Sequence, residues 1–231
     1  ALQRLYQGTW RKDLTMKVLV TGASGGIGRA VCRLFLAAGH RVYGMDITVS
    51  DFDMENYCHI IHDIRDTDYP EIEGIEAIIN CAGVMTESAE DIAVNLTAII
   101  ELTEHYAFQE SIRSVLHISS ASALTGSEFP HYAASKGGLT AYTKNLAMRL
   151  AKYGATVNSL CPGAVLTDFN EHILKDQKKY EAVADESLLK KWIEPDEIAE
   201  WAYFLICINK SMTGESLMID NGESINMNFI W

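Results

Sequence analysis

Residues 17–28 read KVLVTGASGGIG, a short apolar run followed by a glycine-rich loop and then by a helical pattern that lasts to Ala38. The apolar run predicts a β-strand, and the loop carries Gly22, Gly26 and Gly28. Glycine lets the backbone turn tightly, and the N-terminus of the following helix supplies amide donors for a pyrophosphate. We therefore expect a dinucleotide site here. A strand-to-helix turn without a ligand is the alternative, which the three glycines disfavour.

Strand and helix patterns alternate along the rest of the chain. Strands are predicted at 41–46, 57–62, 77–81, 114–119, 155–161 and 216–220, and longer helices at 87–108, 131–152 and 195–207. This alternation predicts an α/β fold of the Rossmann type, a single domain with a doubly wound parallel sheet of about seven strands and helices on both faces.

Residues 1–15 form an N-terminal extension before the predicted domain at 16–231. The extension has no hydrophobic segment typical of a secretion signal. We favour a leader that comes from cloning or from translated upstream sequence. A native arm that packs on a neighbouring subunit is the alternative, because Leu5, Tyr6 and Trp10 give it apolar side chains to bury.

Composition excludes several classes of function. The formal net charge of −12 argues against nucleic acid or an anionic membrane as a partner, because both require a basic surface. No apolar run approaches the 18 residues that a membrane-spanning helix needs, so no such helix is expected. The five cysteines are widely spread and form no Cys-x-x-Cys pair, so no disulfide framework or metal site is expected and a cytoplasmic location is predicted.

Tyr132 and Lys136 stand four residues apart in the predicted helix at 131–152. One turn of helix brings their side chains to the same face, and a cation beside a phenol favours the phenolate. Such a tyrosine can act as an acid or base near neutral pH. The sequence ISSAS at 118–122 lies shortly before this pair and offers serine hydroxyls.

The order of glycine loop, serine and Tyr-x-x-x-Lys resembles that of the short-chain dehydrogenases/reductases. The resemblance extends from Met16 to Asn221. It implies an oxidoreductase in which Tyr132 is the acid/base and Lys136 holds the nicotinamide ribose. A serine would polarise the carbonyl, and Asn95 would hold a water that relays protons.

Two serines compete for the carbonyl-polarising role. Alignment through Gly126 with the family pattern selects Ser120, whereas the more usual spacing to Tyr132 selects Ser119. Side chains alternate along a strand, so only one of the two can face the site. We prefer Ser120, because a loop one residue shorter after Gly126 would explain the spacing.

NAD(H) is the predicted cofactor, in preference to NADP(H). Asp46 lies 18 residues after Gly28, close to the ~20 expected of a carboxylate that binds the adenosine ribose hydroxyls. Neither Gly25 nor Ile47 is basic, as expected for an enzyme that does not bind a 2′-phosphate. By resemblance, the remaining cofactor-binding residues are Gly22, Ser24, Gly26, Ile27, Gly28, Asp63, Ile64, Asn80, Ala82, Gly83, Tyr132, Lys136, Pro162, Gly163, Val165 and Thr167.

The predicted function is hydride transfer between NAD(H) and a secondary alcohol or ketone. A regulatory or scaffold protein that binds a dinucleotide without turnover is the main alternative, and an extended-family sugar-nucleotide epimerase is another. Hydroxysteroids, sugars or polyols, and 3-oxoacyl thioesters all stay open as substrates. A homodimer or homotetramer is expected by resemblance, with contacts through the apolar faces of the helices at 87–108 and 131–152.

Overall fold

A seven-stranded parallel sheet forms the centre of the molecule in the computed structural model, which describes residues 15–227. The strands lie in the order β3-β2-β1-β4-β5-β6-β7, and each pairs in parallel with its neighbours. They are β1 Lys17–Thr21, β2 Arg41–Asp46, β3 Tyr57–Ile61, β4 Ala77–Asn80, β5 Ser114–Ile118, β6 Thr156–Pro162 and β7 Ser216–Ile219. The predicted fold class is confirmed. The expectation for residues 1–14 lies outside the described residues.

Helices cover both faces of the sheet. They are α1 Gly26–Ala37, α2 Glu90–Ile92, α3 Ile99–Ala107, α4 Ser122–Thr125, α5 Pro130–Leu150, α6 Glu171–Leu174, α7 Gln177–Glu186 and α8 Pro195–Tyr203. One apolar core packs α1 and α8 against the sheet, and a second core packs α3 and α5 against the opposite face. The central strands are buried on both sides, which explains their continuous apolar sequences.

The chain reverses its direction of winding between β1 and β4, at the middle of the sheet. β1 leads through the glycine loop into α1 on one face, whereas β4 leads towards α2 and α3 on the other. Ligands of doubly wound sheets bind in the crevice that opens at the carboxyl ends of the strands at such a point. The fold therefore places the glycine loop where a dinucleotide would bind.

The long helix expected at 87–108 is interrupted. Glu87 has a left-handed φ of 60°, and helix begins only at Glu90. A π-helical segment, Ala93–Ala98, then separates α2 from α3. Hydrophobic periodicity cannot reveal one additional residue in a turn, so the sequence predicted a single uninterrupted helix.

The apolar faces assigned to subunit contacts pack largely inside the chain. Ile99, Leu139, Leu146 and Leu150 are each at most 1% exposed and belong to the core on the α3/α5 side of the sheet. The expectation that these four side chains contact another subunit is therefore wrong, because they pack in the core against the sheet. Within residues 15–227, no helix combines the length and apolar character that crossing a membrane requires.

Candidate active site

A cleft of about 630 Å³ opens at the carboxyl ends of the strands. The glycine loop, the ends of β2 and β4, the N-terminal half of α5 and the segment after β6 form its walls. It brings together most of the residues selected from the sequence, which are Gly22, Gly26, Ile27, Gly28, Asp46, Asp63, Ile64, Ala82, Gly83, Ser120, Tyr132, Lys136, Pro162, Gly163, Val165 and Thr167. Ser24, Asn80 and Asn95 do not line it.

Close backbone contacts explain the glycines of the loop. A methyl group on Gly28 would overlap the Gly22 carbonyl oxygen, and one on Gly22 would come within 2.7 Å of the Ala82 nitrogen. Gly22 also has a left-handed φ of 64°, which side chains disfavour. A methyl on Gly26 would overlap the Thr167 side chain across the cleft. The loop thus packs directly against the segments after β4 and β6, and its backbone is open to a ligand.

The Asp46 carboxylate lies at the end of β2, beside the glycine loop. Its Oδ2 accepts a hydrogen bond from the Ser24 amide at 3.0 Å, and its Oδ1 accepts bonds from the Thr48 amide and hydroxyl, each at 2.9 Å. These three donors fix the orientation of the carboxylate, which lines the cleft. Ser24 therefore acts on the site through Asp46 rather than by facing the cleft itself.

Asp63 is bound by an arginine that sequence reasoning did not single out. Arg65 donates to both Asp63 oxygens, from Nε at 3.0 and 3.1 Å and from Nη2 at 2.6 Å. Its Nη1 donates to Glu90 at 3.1 Å. The Arg65 hydrogen bonds lower the pKa of Asp63, so this carboxylate is ionised and paired. The Asp-x-Arg spacing was the signal available in the sequence.

Asn80 lies behind the cleft and does not line it, and its assignment as a cofactor contact stays a prediction. Its Nδ2 donates to Thr103 Oγ1 at 3.0 Å and to His117 Nδ1 at 3.1 Å, and its Oδ1 accepts from the Thr21 hydroxyl. The side chain is 1% exposed. All of its hydrogen-bonding groups are used to join three neighbouring elements, and only the backbone beyond it, at Ala82 and Gly83, reaches the cleft.

Asn95 holds the loop after β4 in place. It lies in the π-helical segment, where its Oδ1 accepts from the Val84 amide at 2.7 Å and its Nδ2 donates to the Val84 carbonyl at 2.8 Å. Its Nδ2 also donates to Ser135 Oγ at 3.2 Å. A methyl on Gly83 would lie 3.2 Å from Asn95 Oδ1 and 3.3 Å from Lys136 Nζ, so the three residues converge at the floor of the cleft.

The two candidate serines point in different directions. Ser119 Oγ donates to the Lys136 carbonyl at 3.0 Å, inside the protein. Ser120 Oγ accepts from Ser122 Oγ at 2.9 Å, and Ser120 lies near enough to the Tyr132 phenol to lower its pKa. Ser122 is therefore placed to orient the Ser120 hydroxyl towards Tyr132.

Tyr132 and Lys136 are both buried at the floor of the cleft. Lys136 is 5% exposed, its Nζ lies 5.7 Å from the centre of the Tyr132 ring and it donates to the Ile118 carbonyl at 3.0 Å. Burial lowers the pKa of Lys136 to about 8. The pKa of Tyr132 is raised, first by burial and then by the Glu128 charge, whereas the Ser120 hydrogen bond lowers it. Without cofactor, burial outweighs the effect expected from the lysine.

Comparison with known proteins places the chain in a family. A short-chain dehydrogenase family model, described as "Enoyl-(Acyl carrier protein) reductase", matches residues 22–224. The chain belongs to the short-chain dehydrogenase/reductase family. A short chain dehydrogenase of Penicillium roqueforti is 30% identical, with the alignment covering 90% of this chain and 96% of the relative. The L-xylulose reductase of Bos taurus is 28% identical, with 89% and 95% covered.

Solved structures of short-chain dehydrogenases share the fold of this chain. A putative 2-deoxy-D-gluconate 3-dehydrogenase from Agrobacterium tumefaciens, solved with bound NADP, superimposes with a TM-score of 0.82 at 26% identity. The match covers 90% of this chain and 96% of that structure. The protein is thus a short-chain dehydrogenase in fold and sequence, with the tyrosine, lysine and serine of the family pattern together in one cleft.

Two acidic residues of this short-chain dehydrogenase escaped sequence reasoning. Glu128 and Glu223 are 95 positions apart in sequence, yet both line the cleft. Burial is the main cause of the raised pKa of Glu223, and the charges of Glu186, Asp220 and Glu128 raise it further. No motif joins Glu128 and Glu223, so only the folded chain could show that they face one site. The described residues hold no His, Cys, Asp or Glu cluster suited to a metal ion.

Proposed function

We propose that this protein is an NAD(H)-dependent oxidoreductase that interconverts a secondary alcohol and a ketone. The observation that supports this best is that Ser120 and Tyr132 line one cleft together with the buried Lys136, which lies one helical turn after Tyr132. Bound in the cleft, a nicotinamide would supply or accept the hydride. The family includes both reductases and dehydrogenases with different named substrates, so the reaction class carries over but the substrate does not.

Tyr132 is proposed to transfer the proton at the carbonyl oxygen. Burial raises its pKa, so at neutral pH the phenol keeps its proton and can donate it during reduction. Ser120 would donate a second hydrogen bond to the same oxygen, where negative charge develops. In the direction of oxidation Tyr132 must first lose its proton, and the rate should therefore rise with pH.

Lys136 and Asn95 are proposed to support this chemistry. The Lys136 ammonium donates a hydrogen bond to the Ile118 carbonyl, and an ammonium has three donors. A ribose hydroxyl in the cleft would be a suitable acceptor for another of them. Asn95 holds the Val84 backbone and touches the same floor as Gly83, so it keeps the nicotinamide end of the cleft open.

The residues of the cleft fit a dinucleotide. A glycine loop where methyl groups would overlap neighbouring backbone, a carboxylate fixed at the end of β2 and a buried ammonium lie along one continuous cavity. The preference for NAD(H) rests on Asp46, whose carboxylate would accept bonds from the ribose hydroxyls but repel a 2′-phosphate. Arg65, a cationic side chain that lines the same cleft, is already bound to Asp63 and Glu90.

We expect wild-type protein to prefer NADH over NADPH by tens- to hundredsfold in kcat/KM. Two like charges at ~4 Å repel by about 4 kcal/mol at an effective dielectric constant of 20, and solvent screening reduces this. Replacing Asp46 by Ala should narrow the preference by at least about tenfold. Steady-state kinetics with both cofactors measures it, and Asp53→Ala, on the exposed loop after β2, is the control. Equal use of both cofactors by the wild type would remove Asp46 from this role.

A panel of ketones and secondary alcohols, followed by NADH absorbance, tests the proposed reaction as a whole. Turnover of at least one class in both directions is expected. A protein that bound NADH but turned over none of the panel would instead match the regulatory role considered above.

We also expect a homo-oligomer, a dimer or tetramer, in solution. The outward side of the described helices carries exposed apolar side chains, among them Met148 at 72%, Trp201 at 41% and Phe204 at 39%. Exposed aromatic and methionine side chains are typical of protein interfaces. Light scattering at micromolar concentration should give a multiple of 25.7 kDa. A mass of one chain at that concentration would show the expectation to be wrong.

A further inference from the structure

Carboxylates surround the end of the cleft where Tyr132 lies. Glu128 precedes α5, Glu186 ends α7 and Glu223 follows β7, and all three line the cleft. None of them takes part in an ion pair within residues 15–227. The cationic side chains that line the described cleft are Lys136, below Tyr132, and Arg65, which is paired elsewhere. The substrate end is therefore negatively charged.

Glu128 is held close to the reacting groups. Burial raises the pKa of its carboxylate, whereas Ser122 and the Lys136 charge lower it, and its own charge acts on both Tyr132 and Lys136. Its backbone has a left-handed φ of 69°, a conformation that glycine adopts far more easily than glutamate. Glycine would thus be the simpler residue for this turn.

Glu223 reaches the same space from the opposite wall. A methyl on Gly163 would come within 2.6 Å of Glu223 Oε2, so the carboxylate packs against the backbone of the segment after β6. Burial raises the pKa of Glu223, and the charges of Glu186, Asp220 and Glu128 raise it further. The carboxylates on the two walls therefore repel each other across the cleft.

We propose that the substrate carries a cationic amino group near its carbinol or carbonyl carbon, and that Glu128 and Glu223 bind this group. The proposal rests on the proposed function of the same cleft. An ammonium between the two walls would be attracted by both carboxylates and would donate hydrogen bonds to their oxygens. A carboxylate or phosphate on the substrate would add to the repulsion, so the same side chains would exclude anionic ketones.

Three ketones of equal chain length, which end in an amine, a hydroxyl or a carboxylate, separate charge from shape. With NADH and wild-type protein, we expect kcat/KM for the amino ketone to exceed that for the hydroxy ketone by at least about tenfold. The keto acid should fall below the hydroxy ketone by a similar factor. Raising the ionic strength should reduce both ratios, because salt screens charges but does not change fit.

Variants connect the preference to the two residues. Glu128→Gln and Glu223→Gln remove the charge and keep the shape, so each should lower the amino/hydroxy ratio by about threefold to tenfold. Glu110→Gln is the matched control. This exposed glutamate lies in the turn before β5, at the amino ends of the strands and away from the cleft. The ratio of the two ketones within each protein is the readout, because it cancels any effect of a variant on the hydride step that both ketones share. NADH affinity and thermal unfolding near wild type show that the variants are folded.

Two results would be decisive against the proposal. Equal or higher kcat/KM for the hydroxy ketone or the keto acid in wild type would overturn it and leave the proposed oxidoreductase function intact. Turnover of none of the three would count against the proposed function instead. Calorimetry of the amino alcohol with the protein–NADH complex would then decide the charge preference alone, and binding no tighter than that of the corresponding diol would reject it.

Discussion

Replacing Tyr132 by Phe should lower kcat by at least a hundredfold and leave NADH affinity within about threefold of wild type. The phenol lies at the floor of the cleft together with Ser120, and positioned acids and bases typically contribute 10²–10⁴ to the rate. Phenylalanine keeps the ring that packs there and removes the hydroxyl alone. Stopped-flow measurement of NADH oxidation, with fluorescence titration of NADH, gives both quantities.

Tyr142→Phe is the matched control for this variant. Tyr142 lies on the same helix and is also buried, but its hydroxyl donates to Glu104 at 2.9 Å, outside the cleft. Loss of that bond should cost about 1 kcal/mol of stability and leave turnover near wild type. Near-normal turnover of Tyr132→Phe would remove this tyrosine from the mechanism, and weaker NADH binding in both variants would indicate a general structural effect.

Ser120→Ala should lower kcat by about a hundredfold, whereas Ser119→Ala should change it by no more than about threefold. Ser120 Oγ contacts Tyr132 and would donate to the developing oxyanion, and removal of one such donor typically costs 10²–10³. Ser119 Oγ instead donates to the Lys136 carbonyl, so its loss should be seen mainly in thermal unfolding. The two alanine variants, compared with the same ketone and NADH, form each other's control. The reverse order of effects would assign the role to Ser119.

The arrangement of strands was predictable because each strand has a local signal. Apolar runs bounded by glycine or polar residues are visible in the sequence, and parallel pairing follows from the helices between them. For β1 and β2 the expected and observed bounds coincide, at Lys17–Thr21 and Arg41–Asp46. The glycine loop was equally readable, since its spacing reflects contacts made within a few residues, such as that between Gly22 and Gly28.

Features that depend on distant segments were not predictable. The orientation of Ser119 and Ser120 follows from where β5 ends, at Ile118, and from the position of α5 above it. The role of Asn80 as a link within the sheet follows from the neighbouring His117 and Thr103, which come from other elements. The raised pKa of Tyr132 follows from burial, which a helical spacing does not express. Each of these features is determined by residues that are close in the fold and distant in the sequence.

The π-helical segment constrains how this chain can change its length. Its wider turn contains one residue more than an α-helical turn would. With this turn, Asn95 binds the Val84 backbone and the apolar side of α3 still packs on the sheet. Deleting one residue there would rotate the preceding helix by about 100° relative to α3 and break one of these two contacts. A change in chain length that keeps both contacts would have to fall in the part of the loop between Val84 and α2. Variation in chain length at this site would change the mouth of the cleft and spare its floor.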